Sequence, residues 1–438
     1  MQYKYPKGSK KLIRAWAFYD WANSVYSLVI VSSIFPIFYG ALTLIKNEQG
    51  EIINNNVEFL GWNFKNDSLI SFVTAAAFII VAISSPLLGG TADYLGNKKR
   101  FLQFFCYLGS LSCIGLFWFD LETLFFGLLC YFFAIIGFWS SLVFYNSYLP
   151  EVAYKEQQDK ASALGFSLGY IGSVILLILC LILIEGYVWF GFESKEFPTR
   201  LSFLLTGIWW MGFSQITYHS LPIPTEKKTF HKMTLFKGYQ EILKIWKDLK
   251  ANKTLRRFLY AFFVYSMAVQ TIMLIATYFG LEEINWSDTN QTVGLIISIL
   301  IIQLIAILGA EIMARMAIRY GNIKTLLAVN VLWILICVYA FTISTPFEFY
   351  ITAGFVGLVM GGIQSLSRST YSKLLPITVK DTTSYFSFYD VTEKIGIVLG
   401  MVVYGYVSQA MGSIRYAVLL FISFFIAGVI LLFRVPSN

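Results

Sequence analysis

Long apolar runs follow one another along this chain with little sequence between them. Ser68–Leu88, Leu124–Tyr145, Leu164–Ile184 and Leu295–Met313 are four such runs. Each can cross a bilayer, which takes roughly 20 residues of helix. So little length remains outside the runs that a soluble catalytic domain has no room. Composition agrees: the 438 residues are 57% hydrophobic and 13% charged, where soluble domains carry about 25% charge. The chain reads as an all-α integral membrane protein with small loops, and not as an enzyme.

Twelve transmembrane spans are expected, near 15–40, 68–91, 101–119, 122–148, 160–184, 201–221, 257–280, 291–315, 323–343, 347–373, 383–410 and 414–434. With the N-terminus in the cytoplasm, 27 of 33 Lys and Arg residues fall on that side. Lys46, Lys65, Lys195, Arg200 and Arg415 fall on the other, and Lys394 lies within a span. By the positive-inside rule both termini are cytoplasmic. Lys4, Lys7, Lys10, Lys11 and Arg14 precede the first run without a small-residue cleavage pattern, so this run reads as a retained span.

A repeated punctuation divides the chain. Gly96-Asn97-Lys98-Lys99 and Gly321-Asn322-Ile323-Lys324 lie 225 positions apart, each a basic turn between apolar runs. Nearly the same offset superposes Leu149-Pro150 on Leu375-Pro376. The second half therefore reads as a repeat of the first, an organisation shared by many transporters. The expected divisions are a six-helix half at 1–221, a cytoplasmic linker at 222–256 and a second six-helix half at 257–438.

The net charge of +8 comes largely from that linker. Lys227, Lys228, Lys232, Lys237, Lys244, Lys247, Lys250 and Lys253 alternate there with Phe236, Tyr239, Ile242, Ile245, Trp246 and Leu249. The apolar spacing is helical, which predicts an amphipathic helix against anionic lipid heads and not a nucleic-acid partner. The five cysteines sit inside apolar runs and read as small buried hydrophobes. His219 and His231 are the only histidines, so no metal site or cofactor is expected. Gly165-Phe166-Ser167-Leu168-Gly169 fits a hydrolase elbow in letters only. Inside an apolar helix, Gly165, Gly169, Gly172 and Ser173 read as a packing face.

After the second span, Gly89-Gly90-Thr91-Ala92-Asp93-Tyr94-Leu95-Gly96-Asn97-Lys98-Lys99-Arg100 resembles the loop signature of the major facilitator superfamily. Gly89, Asp93, Gly96, Lys98 and Lys99 fit its pattern, and the resemblance makes them a cytoplasmic gate. Tyr94 and Asn97 depart from it. Four segments resemble the branch of autophagy-related vacuolar amino-acid effluxers and their bacterial relatives. They are Tyr19-Asp20-Trp21-Ala22-Asn23-Ser24, Phe144 to Glu151, Gln364 to Ser369 and Phe388-Tyr389-Asp390-Val391. This resemblance implies a major facilitator fold of two pseudo-symmetric six-helix halves, with spans one, four, seven and ten lining a cavity.

Ionisable groups within a bilayer cost at least about 2.5–3.5 kcal/mol each at a helix centre, so each needs a partner or a wet path. Asp20 lies about 9 Å beyond Arg14 at 1.5 Å per residue, with Asn23 and Ser27 at i+3 and i+7. In span eleven, Asp390, Glu393 and Lys394 share a face with Ser387. Lys394 is expected to neutralise one carboxylate and leave the other, and Arg368 is expected to partner Asp390. Each cluster reads either as static bracing or as transport machinery. Glu311 and Arg315 read as a surface pair.

With the implied cavity, Asp20, Asn23, Asn146, Gln270, Gln364 and Arg368 come together, flanked by Asp390, Glu393 and Lys394. Tyr19, Tyr145 and Tyr371 would form an aromatic wall. The expected function is secondary active transport of a small polar solute, an amino acid, by a monomer using alternating access. Protons are the expected coupling ion, and membrane lipids surround the protein. Export of a lipid or amphipathic drug-like compound, or a non-transporting receptor or scaffold, remain the alternatives.

Overall fold

The computed structural model describes residues 4–43, 45–46, 52–54, 56–222, 234–286, 290–376, 381–411 and 414–436. Helix α1 runs over Lys10–Thr43, α2 over Asn66–Leu95, α3 over Lys98–Gly115, α4 over Leu124–Ser147, α5 over Gln158–Glu185 and α6 over Glu196–Ser220. After the linker helix α7 (Thr234–Ala251) come α8 (Lys253–Glu283), α9 (Gln291–Tyr320), α10 (Asn322–Thr342), α11 (Pro346–Leu374), α12 (Thr382–Met411) and α13 (Ile414–Phe433).

Starts and stops follow local chemistry. Ser9 caps α1, Asn252 caps α8 and Asn290 caps α9, each side chain accepting a first-turn N–H. Thr345 and Glu348 close a capping box on α11, with Pro346 in its first turn. Gly96 and Gly321 end α2 and α9 with φ of 65° and 92°, a region open to glycine at little cost. The two repeated turns thus occupy equivalent places, between the second and third helices of their halves.

Packing repeats as well. Within the first half α1 packs on α5 and α6, α3 on α4 and α6, and α2 on α4. The matching pairs α8 with α12 and α13, α10 with α11 and α13, and α9 with α11 recur in the second half. One apolar core spans Leu12 to Leu221, and another spans Ile245 to Val435 with Tyr170 joined to it. Between halves, α2 meets α12 and α5 meets α9 and α11. Glycines bring α5 against α1: a Cβ on Gly169 would meet Ser24, and one on Gly172 would meet Trp21.

Four features differ from the sequence reading. Eleven helices, not twelve, are long and apolar enough to cross a membrane among the described residues. The one left out is α6, whose Thr199, Arg200, Ser202, Thr206, Ser214, Gln215 and Thr217 dilute its apolar content. Helix α1 is not uniform, because Tyr26–Ile34 form a π-helix before Pro36. Short antiparallel ribbons also interrupt the all-α pattern after α1, pairing Ile45–Lys46 with Ile52–Asn54 and Asn56–Phe59 with Trp62–Lys65. Leu60 and Gly61, both at positive φ, make the tight turn of the second ribbon.

The fourth difference concerns the linker. Its helix buries Ile245 and Leu249 against the protein, with Trp246 beside Phe388. Lys244 pairs with Asp381 at 3.2 Å. Among its described side chains Ile245 and Leu249 therefore pack where the helix meets α2 and α12, while Tyr239, Leu243 and Trp246 stay about half exposed. Lys227, Lys228, Lys232 and Lys380 lie outside the described residues, as do the side chains of Phe236, Lys237 and Ile242.

Candidate functional site

Arg368, on α11, is the hub of the interface between the halves. All three of its guanidinium nitrogens donate to groups of the opposite half. Nε reaches Ser162 Oγ at 2.9 Å, and Nη2 reaches the Ser162 carbonyl at 2.9 Å. Nη1 donates to Asn146 Oδ1 at 3.1 Å and to Asp20 Oδ2 at 3.2 Å. Tyr145 donates its hydroxyl to the same Asp20 oxygen at 2.8 Å. Asp20 and Arg368 are 5% and 3% exposed, so the pair is sealed from its surroundings. Aromatic rings enclose the guanidinium: Phe166 at 4.3 Å, Trp16 at 5.1 Å and Tyr145 at 5.4 Å to the ring centroids. Gly165 leaves the space, since a Cβ there would lie 2.4 Å from Asp20 Oδ2.

A second charged cluster is built on α12. Lys394 Nζ lies 3.1 Å from Asp390 and 3.0 Å from Glu393. Gln270 on α8 donates to the other Glu393 oxygen at 2.7 Å, and Ser85 on α2 donates to Asp390 at 3.4 Å. The Lys394 ammonium also sits 3.6 Å from the ring centroid of Trp139 on α4. Two carboxylates share one ammonium, a formal excess of one negative charge. Glu393 has 17% side-chain exposure against 1% for Lys394, which makes it the accessible acid.

The end of the molecule that carries the basic turns is held shut by a third set of contacts. Asp93 accepts from the backbone N–H of Thr383 at 3.2 Å and of Ser384 at 2.6 Å, and from the Ser384 hydroxyl at 2.8 Å. A carboxylate of one half thereby caps α12 of the other. Gly89 lets this approach occur, since a Cβ would meet Ser387 Oγ at 3.1 Å. Lys98, buried, binds Glu151 at 2.6 Å and donates to Thr382 Oγ1 at 3.0 Å. Beside them, Asp159 on α5 accepts from Lys373 and from Asn322.

Several sequence expectations change here. Arg368 partners Asp20 and not Asp390, because Lys394, one helical turn along, already holds Asp390. Lys394 bridges both acids instead of leaving one alone. The expected single cluster is two: Asp20, Asn146 and Arg368 form one, while Gln270 joins Glu393 in the other. Gln364 lies near the first but accepts from Tyr170 at 3.0 Å. Asn23 is buried and is not among the described hydrogen-bond partners of Arg368; its Oδ1 accepts from the Ser24 hydroxyl at 3.4 Å.

Of the aromatic wall, Tyr145 alone touches the pair. Tyr371 donates to the Tyr385 carbonyl, and Tyr19 packs between Tyr145 and Tyr218. Lys99 faces away from the latch, into a depression with Gln215 and His219. Glu311 and Arg315 do pair at the surface, at 2.8 Å. Sequence reasoning missed Trp16, Phe166, Ser162, Trp139 and Asp159. The glycine row beginning at Gly165 was the available signal that something must come close to α5.

The chain matches the family model described as "Vacuole effluxer Atg22 like" over residues 8–438. An uncharacterised transporter of the major facilitator type from Bacillus subtilis, YxiO, is 30% identical, covering 97% of this chain and 94% of the relative. Autophagy-related protein 22 of Coccidioides immitis is 23% identical, covering 93% and 84% respectively. In structure, the E. coli fucose:proton symporter FucP superposes with a TM-score of 0.65 at 15% identity, covering 98% of each chain. The chain therefore belongs to the Atg22-like vacuole effluxer family, whose members are transporters of the major facilitator superfamily and not enzymes.

Proposed function

We propose that this protein moves a small zwitterionic solute of the amino-acid class by alternating access between its two six-helix halves. The observation that carries the reading is the Arg368–Asp20 pair, a cation of one half sealed against an anion of the other. A guanidinium is the natural receptor for a substrate carboxylate and a carboxylate for an ammonium. A zwitterion entering between them replaces each partner by its own opposite charge, so the halves separate without leaving a bare buried ion. A neutral or purely apolar cargo offers no such exchange. The family's description as vacuole effluxers supports the transport part of this reading.

In this reading the latch of Asp93, Lys98 and Asp159 is the closed cytoplasmic gate, and both termini face the cytoplasm. The divisions fall at 1–221, 222–256 and 257–438. The α12 cluster supplies coupling: its excess negative charge is balanced by a proton on Glu393, taken up in one state and released in the other.

The test is counterflow of radiolabelled amino acids in proteoliposomes holding the full chain. Wild type is expected to exchange at least one amino acid, and Asp20→Asn and Arg368→Lys are expected to lose exchange while still folding and melting cooperatively, at a lower temperature than wild type. Exchange that survives both substitutions would overturn the assignment of this pair.

A further inference from the structure

At the end of the molecule bearing the basic turns, an open depression of about 540 Å³ lies between α3 and α6. Lys99 and Gln103 from the first turns of α3 line it, with Gln215, Ile216, Tyr218 and His219 from the last turns of α6. No carboxylate is among these described lining residues. The N-terminal strap adds further cations. Lys4 contacts the His219 ring, and the Lys4 and Lys11 ammonium groups lie 5.6 and 5.9 Å from the Tyr5 ring centroid. The positive end of α3 opens onto the same place.

Directly below, the outer faces of the same two helices are apolar and open. Phe104 and Leu111 on α3 and Ile208 and Ile216 on α6 are each about half exposed or more. On α6 itself, the exposed Gly212 leaves a furrow between Ile208 and Ile216: a Cβ added there would meet nothing within 4 Å. A basic bowl with no carboxylate among its described lining residues thus lies at the end of two helices whose outward faces are apolar, indented on α6 at Gly212.

We propose that this bowl and furrow bind one anionic phospholipid of the leaflet on the basic side. Its phosphate sits among Lys99, His219 and the strap lysines, and an acyl chain lies across Gly212. The furrow distinguishes a lipid from a free phosphate ion, which needs the bowl alone. Lys99 follows Lys98 of the latch, so the bound lipid rests one residue from the contact that holds the gate.

Native mass spectrometry of the full chain in detergent tests this, with phosphatidylglycerol, phosphatidylcholine and inorganic phosphate as separate probes. Phosphatidylglycerol is expected to be retained over phosphatidylcholine. Lys99→Gln should lower its affinity about fivefold, the effect of one interfacial cation. Gly212→Leu, which fills the furrow without touching a charge, should lower retention of the lipid too. Equal retention of the two lipids by wild type would overturn the proposal, and this comparison needs no variant. So would displacement of phosphatidylglycerol by inorganic phosphate, or indifference of folded Gly212→Leu protein to the lipid.

Discussion

Arg368 makes contacts that no lysine could reproduce, because three nitrogens in a fixed plane reach Ser162, Asn146 and Asp20 together. Arg368→Lys is therefore expected to cut amino-acid exchange at least about tenfold, the loss of one hydrogen bond to a charged group. Gly165→Ala should do as much without changing any charge, since its Cβ would enter the Asp20 carboxylate. Exchange assays on both variants, beside melting curves, check the two. At this scale the sequence disclosed which groups were costly but not whom they met. Asp20 and Arg368 stand 348 positions apart, and only the pairing of α1, α5 and α11 joins them. Trp16 and Phe166 were illegible for another reason: with 18% aromatic residues, one ring looks like any other.

At the level of elements, apolar runs located the spans well because bilayer thickness imposes a length that periodicity can report. The partners that hold boundaries from outside were hidden. The start of α12 was expected at 383 and lies at Thr382, but the carboxylate of Asp93 that holds it comes from the other half, and nothing near residue 382 names that partner. Asp93→Ala removes this cap, worth about 1 kcal/mol. Amides at 383–389 should then exchange hydrogen roughly fivefold faster, the rate factor of that energy, as mass spectrometry of the exchanged protein would read. A loop tie at the opposite end has a pH signature. Arg200 and the Leu121 N–H hold the Asp120 carboxyl below its usual range. A depressed carboxyl stabilises above the unfolded value and loses that contribution as pH falls through the folded one. Asp120→Asn should accordingly melt with less difference between pH 7 and pH 3 than wild type.

For the whole molecule, the repeat of Gly96-Asn97 at Gly321-Asn322 made the two-fold plan legible, and the repeated helix pairings follow it. The asymmetry laid over that plan was not legible. The α12 charges have no counterpart in the interior of α5, which holds serines, a tyrosine, glycines and apolar residues but no Asp, Glu, Lys or Arg between Lys160 and Glu185. Glu393→Gln brings the cluster to formal neutrality. It is expected to abolish accumulation driven by a pH gradient while leaving solute-for-solute counterflow intact, measured in the same liposomes. One departure from regularity bears on how such a molecule bends. The nine-residue π-helix at Tyr26–Ile34 lies between the stretch of α1 that carries Asp20 and the stretch that follows Pro36. A wide turn is a compliant spring within an otherwise stiff rod. Torque applied to the outer end of α1 is absorbed there, so the far mouth can flex in thermal motion while the charged joint keeps its alignment.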